Sequence, residues 1–293
     1  MSRFTGGLSE EQVDEFKNRG ILVVKSVYSK EEVECIRNGL HDNLRSSVGC
    51  DVNDLAGTAS NLSKLSSTAG AGGILDVFYA PWKLEVNQDP RLFALASEIW
   101  SRTYAENQAP FDHPFAAFNP HHGYMYIDRV GFRVPDSISM LHKGGKKKKG
   151  LQRSLTPHLD CCPHKLYDDI NKWRPVQMFV ALTDTREPNQ GGFEACHSLH
   201  SNFNEWVSTR AGIPSVSSSS DDASGACDHD SEPPPCVGSF TPIRPKEDAD
   251  ILERIEHIPC EAGDIVCWDY RIPHANSRYN NTDRAREVLY LGK

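Results

Sequence analysis

A chain of 293 residues can hold one large domain or two small ones. Its 32 Lys and Arg against 40 Asp and Glu give a net charge of −8, so it lacks the broad basic face with which nucleic-acid binders neutralise phosphates. No apolar run reaches the ~20 residues that cross a bilayer. The nine cysteines, odd in number and with no Cys-x-x-Cys pair, point to reduced thiols in a cytoplasmic setting.

Hydrophobic content of 38% supports a packed core. The start of the chain has no apolar secretory core, and its end carries no peroxisomal or prenylation signal. Two helices open the protein. Ser9 caps the first, with Gln12 completing a capping box, Val13 and Phe16 on the apolar stripe and Gly20 as the stop. Ile21 to Val24 follow as a strand. Ser29 caps the second helix, with Glu32 in the box and Val33, Ile36 and Leu40 on one face. The Ser-, Gly- and Asn-rich stretch from about Ser46 to Gly73 reads as a long loop. Leu92, Leu95, Ile99 and Trp100 predict a third helix over Pro90 to Tyr104.

After about Tyr124 the pattern changes to short strands and turns, as in an antiparallel sandwich or barrel. Arg174 to Asp184 is the clearest strand, apolar except for Gln177. Two segments interrupt the pattern: a basic glycine loop at 143–150, and a Ser/Asp/Pro-rich low-complexity insertion from Ser215 to Cys236. The organisation expected is one domain over 1–293. It has a mainly helical support at 1–105 and a β core at 120–293, with the insertion at about 213–241.

The chemistry-bearing residues lie in the β part. His158 and Asp160 are two apart, so on a strand they project from one face and reach one ion. Imidazole plus carboxylate suits iron(II), and a second histidine leaves three coordination positions open for a bidentate cosubstrate and oxygen. That histidine is His274, which follows the turn and strand of 261–269. Past a polar turn at 280–283, Arg284 and Arg286 open the returning strand. The planar fork of an arginine there can grip the far carboxylate of a dicarboxylate whose keto-acid end chelates the metal.

These segments, in order and spacing, resemble the phytanoyl-CoA dioxygenase family of 2-oxoglutarate oxygenases. The likeness rests on the opening stretches 8–24 and 29–33, on His158-x-Asp160, on 173–184 with Gly191-Gly192-Phe193, and on His274 with 281–286. It spans nearly the whole chain apart from the two interruptions. One departure is the run 197–200, where only His200 keeps the pattern found in many members. The resemblance implies a double-stranded β-helix (jelly-roll barrel) with helices packed outside. It implies iron(II) as cofactor and 2-oxoglutarate as cosubstrate, with O2 and a small, possibly carboxylated metabolite as partners. Cosubstrate is decarboxylated to succinate and carbon dioxide while a C–H bond is oxidised. The family pattern favours Arg286 over Arg284 as the carboxylate anchor. An acid at position 160, where related halogenases carry a small residue, implies a non-halogenating oxidation.

His158, Asp160 and His274 are therefore the expected metal and catalytic residues, and Arg286, Gln177 and Ser277 the expected cofactor-binding ones. Asn276 competes with Ser277 because the spacing leaves one residue of ambiguity. Trp268 and Asp269 suit either the pocket or the core, and Arg133 either an anion or a salt bridge. His164, His197 and His200 are weaker metal candidates, with His200 read as a loop brace. Lys146–Lys149 reads as a solvated loop or a steering patch for anionic substrates. Neither membrane nor nucleic acid is expected as a partner, and nothing speaks to oligomeric state.

Overall fold

In the computed structural model of the chain, the residues described are 7–104, 125–142, 150–161, 175–209 and 241–292. Helix α1 (Glu10–Arg19) and helix α2 (Lys30–Val48) each begin with the expected capping box, at Ser9/Gln12 and Ser29/Glu32. Gly20 ends α1 at φ +70°, and a Cβ there would lie 2.6 Å from Nδ1 of His200. Both backbone conformation and close approach therefore require glycine at position 20. The polar stretch expected to be a loop is instead a series of short turns. α2 runs on to Val48, Asp51 and Asp54 cap the next turns, α3 covers Leu55–Thr58, and 3-10 turns cover Ala59–Leu65. Capping by short polar side chains makes helical turns out of a composition that reads as loop. Helix α4 (Pro81–Asn87) starts on a proline at its first position, and α5 (Pro90–Thr103) matches the third predicted helix.

Two antiparallel sheets face each other. The larger has the order β1 (Ile21–Val24), β9 (Ile265–Asp269), β5 (Val176–Ala181), β11 (Arg286–Gly292), β3 (Tyr126–Arg133) and β2 (Ile74–Leu75). The smaller has the order β7 (Thr241–Pro242), β4 (His158–Leu159), β10 (His274–Asn276), β6 (Phe193–Ala195) and β8 (Glu256–His257). Among the described residues the fold is two antiparallel sheets with flanking helices. Helical residues outnumber strand residues, so the expected predominance of β is not met, and the two sheets do not close into one continuous barrel. The 143–149 loop, Trp173–Arg174, His164 and the 215–236 insertion lie outside the described residues. Among the described residues no helix is long and apolar enough to cross a membrane.

Packing follows strand alternation. One face of the large sheet packs Val130, Phe132, Val180 and Leu289 against Phe16, Leu40, Leu44 and Leu92 of the helices. Its other face packs Phe179, Val266, Trp268 and Val288 against Phe193 and Ala195 of the small sheet. β5 is covered on both faces and all six of its residues are buried, which is why it reads as an apolar run broken only by Gln177. Strand β11 divides its work the same way, with Arg286 turned between the sheets and Glu287 turned toward α2.

Glu287 is 4% exposed and accepts two 3.0 Å hydrogen bonds from Nε and Nη2 of Arg37, with Nε2 of His41 also 3.0 Å away. Burial works against its charge, but the hydrogen bonds from His41 and Arg37 outweigh burial and hold the carboxyl below its ordinary value of 4.5. Because the native value is depressed, the stability this group contributes is whole above pH 4.5 and is lost as pH falls through the native value. Glu287→Gln should cost about 1–3 kcal/mol at pH 7, Arg37 being half-solvated, and should flatten the acid limb of the stability profile. Urea titrations of both proteins between pH 3 and 7 measure both effects.

Candidate metal centre

His158 and His274 sit directly opposite each other in the β4–β10 pairing, with ring centroids 4.6 Å apart. Asp160 lies just past the two-residue strand β4, and its carboxylate turns back toward both rings. Its Oδ1 is 3.3 Å from Nε2 of His158, and its Oδ2 is 3.6 Å from Nε2 of His274. The three ligand atoms all lie within 4.8 Å of one another, and among the described residues this is the one such His/Cys/Asp/Glu group.

The local backbone presets the histidines for ligation. Nδ1 of His158 lies 2.9 Å from the carbonyl of Thr156, and Nδ1 of His274 lies 3.0 Å from the carbonyl of Ile272. A carbonyl only accepts, so Nδ1 carries the proton in each ring and the Nε2 lone pair faces the centre. Gln177 donates to Oδ2 of Asp160 at 2.8 Å, so the lone polar residue of β5 points into the site. In the metal-free protein a proton on Nε2 of His158 or His274 takes the place of the metal and is donated to Asp160. Burial disfavours the Asp160 charge, but these hydrogen bonds outweigh it and hold the carboxyl well below the usual range. Two oriented nitrogens and one charged, braced carboxylate oxygen form a donor set that fits a divalent first-row metal with open positions.

The three residues open onto a cavity of about 110 Å³ that Gln177, Phe193, Trp268, Asn276 and Tyr290 help to line. Arg286 is 2% exposed and stands behind this wall. Its Nη1 donates to Oδ1 of Asn276 and to the Tyr290 hydroxyl, both at 2.9 Å, and its plane lies over the Phe179 ring at 5.1 Å. Its Nη2 is buried with no hydrogen-bond partner among the described residues. Gly131 makes room for this side chain, because a Cβ there would lie 2.7 Å from Val288 and 3.4 Å from Nη1 of Arg286. An unmatched guanidinium donor behind the cavity fits a carboxylate anchor.

The other expectations sort by position. Arg284 is exposed and precedes β11, so it does not share the interior face of Arg286. Asn276 lies two residues from His274 on β10, lines the cavity and also donates to the carbonyl of Gly72 at 3.1 Å. Ser277 is buried, its hydroxyl has no hydrogen-bond partner among the described residues, and it does not line the cavity. Trp268 lines the cavity, whereas Asp269 is buried in a bidentate pair with Arg271. Arg133 makes the salt bridge, to Asp136 at 2.8 Å. His200 braces α1 through the carbonyl of Lys17, and His197 contacts Ser198 and Glu256, so neither joins the metal group. Tyr290 and Asp128 carry no motif of their own, and only the fold brings them to the cavity.

No protein-family model matches the sequence, and no curated protein matches it. Solved structures resemble it over almost its whole length. A Salmonella typhimurium LT2 protein provisionally assigned as an oxidoreductase aligns with 97% of this chain and 70% of its own, at 15% identity and a TM-score of 0.64. GIG2 of Candida albicans aligns with 99% of this chain and 64% of its own, at 17% identity and a TM-score of 0.61. SnoK, a non-heme alpha ketoglutarate dependent carbocyclase from nogalamycin biosynthesis, aligns with 100% of this chain and 86% of its own, at 13% identity and a TM-score of 0.55. The chain therefore spans about two thirds of the length of the first two proteins. At these identities the likeness shows a shared fold and nothing more.

Proposed function

We propose that this protein is an iron(II)- and 2-oxoglutarate-dependent oxygenase of a small molecule. In this reading it is one domain built on a double-stranded β-helix, related to the phytanoyl-CoA dioxygenase family. The observation that carries the reading is the pairing of the His158, Asp160 and His274 group with the unmatched Nη2 of Arg286 behind the same cavity. The shared fold of SnoK supports it.

When bound, iron(II) with 2-oxoglutarate and O2 supplies the oxidising chemistry, with succinate and carbon dioxide as co-products. The chain supplies the rest. His158 and His274 offer Nε2 in a fixed tautomer, and Gln177 orients the Asp160 carboxylate. Arg286 anchors the far carboxylate of the cosubstrate through Nη2, while Oδ1 of Asn276 accepts from Nη1 and fixes the guanidinium. Phe193 and Trp268 pack at a tilt against the His274 ring and keep water off that side of the centre. The outcome is oxidation at a C–H bond, as hydroxylation, desaturation or ring closure, decided by how the cavity holds the substrate.

Anaerobic titration with iron(II) and then 2-oxoglutarate tests this reading. The expected result is a visible charge-transfer band of the chelate. Well-folded, iron-replete protein without that band would instead be a binding domain on the same scaffold.

A further inference from the structure

The cavity has a second charged wall that the cofactor residues do not use. Where β2 meets β3, Asp128 and Arg129 line it, with Ile74, Leu155, Met178 and Leu291 supplying apolar surface beside them. Arg129 is held in a particular way. Its Nε donates to Oδ1 of Asp76 at 2.8 Å, and Oδ2 of Asp76 accepts from the Ser67 amide at 2.7 Å. The carboxylate is thus fixed by its own loop and fixes the guanidinium in turn. Nη1 and Nη2 make no hydrogen bond among the described residues, and the side chain is 40% exposed. An arginine pinned through Nε presents its remaining edge, two parallel N–H donors, in the geometry that grips an oxyanion.

Asp128 is less available to a ligand. Its Oδ1 accepts from the backbone amide of Arg129 at 2.8 Å, and its charge acts on the ammonium of Lys83, a fully buried residue. Of the two charged side chains on this wall, the guanidinium is the one with an oriented, unused edge. Asp128 apart, the lining beside it is the apolar surface of Ile74, Leu155, Met178 and Leu291, so the matching ligand has an acidic head and a hydrocarbon body.

We propose that Arg129 is the substrate-recognition residue of this cavity, and that the substrate is a small amphipathic oxyacid. Its carboxylate or phosphate is gripped by Arg129 while its apolar body lies over Ile74, Leu155, Met178 and Leu291. Asp76 is a positioning residue that aims the guanidinium. The proposal rests on the oxygenase reading of the site, and its test is separable from that reading because it needs no metal.

Metal-free protein is titrated with short-chain alkyl carboxylates, alkyl phosphates and the matching amides and amines, followed by thermal shift and calorimetry. Wild type should bind acids and not amides, and comparison of the two acid series shows which head group is preferred. Arg129→Gln should weaken acid binding at least tenfold, Arg129→Lys should restore part of it, and Asp76→Asn should give an intermediate loss. Arg286→Met should leave acid binding in place. The iron–cosubstrate band should persist in Arg129→Gln, which keeps a failure here distinct from a failure of the oxygenase reading. Acid affinity unchanged in Arg129→Gln overturns the proposal, as does a loss confined to Arg286→Met. Binding of amines that disappears in Asp128→Asn, or no acid binding in wild type, overturns it too.

Discussion

His274→Ala should abolish formation of the iron–cosubstrate chelate and reduce 2-oxoglutarate turnover by about a thousandfold or more, the scale of a metal contribution worth several kcal/mol. The ring is 7% exposed, faces His158 across the β4–β10 pair and lies 3.6 Å from Oδ2 of Asp160. Its removal leaves an incomplete donor set that no neighbouring group refills, since among the described residues no other His, Cys, Asp or Glu reaches the cluster. Melting curves give an independent readout. Iron(II) at a hundred times its dissociation constant should stabilise wild type by about 2.7 kcal/mol, and the variant should gain nothing from the same addition. A variant that melts near the metal-free wild type but no longer responds to iron separates lost ligation from lost folding. Full iron-dependent stabilisation of His274→Ala would remove His274 from the metal site.

How much of this was legible beforehand depends on whether each signal is local. The capping boxes at Ser9 and Ser29 are complete within four residues, so they read directly from sequence. His158 and Asp160 are also a local pair, although β4 holds only His158–Leu159 and a bend returns the carboxylate to the shared side. Gln177 was visible as one polar residue in an apolar strand, and its contact with Asp160 gives the reason for it. The choice between Asn276 and Ser277 needed the phase of β10, which is set by pairing with β4 and β6 rather than by spacing. Once His274 faces the centre, period-two alternation brings Asn276 to the same face. Arg129 was harder still. It is one of two arginines in a short stretch of β3, and what distinguishes it is an aspartate 53 residues upstream that no sequence pattern links to it. The turns between Asp51 and Leu65 were missed because their stability lies in side-chain caps and not in an apolar stripe.

Replacing Arg286 by Met should separate binding from stability in an unusual direction. The buried guanidinium has one unmatched nitrogen in the ligand-free protein, so it already carries a desolvation cost that no partner offsets. Its loss removes the contact over Phe179, worth about 1 kcal/mol, and two hydrogen bonds from Nη1. Neither acceptor is stranded, because the Tyr290 hydroxyl still donates to Oδ1 of Asn276 at 3.0 Å. Met fills much of the same volume without a polar atom. These opposing effects should leave the ligand-free variant within about 1 kcal/mol of wild type in denaturant titrations. Cosubstrate binding should respond very differently. A carboxylate held by a buried guanidinium loses about 2–5 kcal/mol when the cation is truncated, so the affinity for 2-oxoglutarate should fall by a factor between about 30 and about 4,000. Binding of a 2-oxo acid without a far carboxylate, such as 2-oxobutyrate, should change little. A variant destabilised by more than about 3 kcal/mol would make Arg286 part of the framework instead. Equal losses for both 2-oxo acids would place the effect at the metal end of the cavity, because only the far carboxylate has a reason to sense this residue.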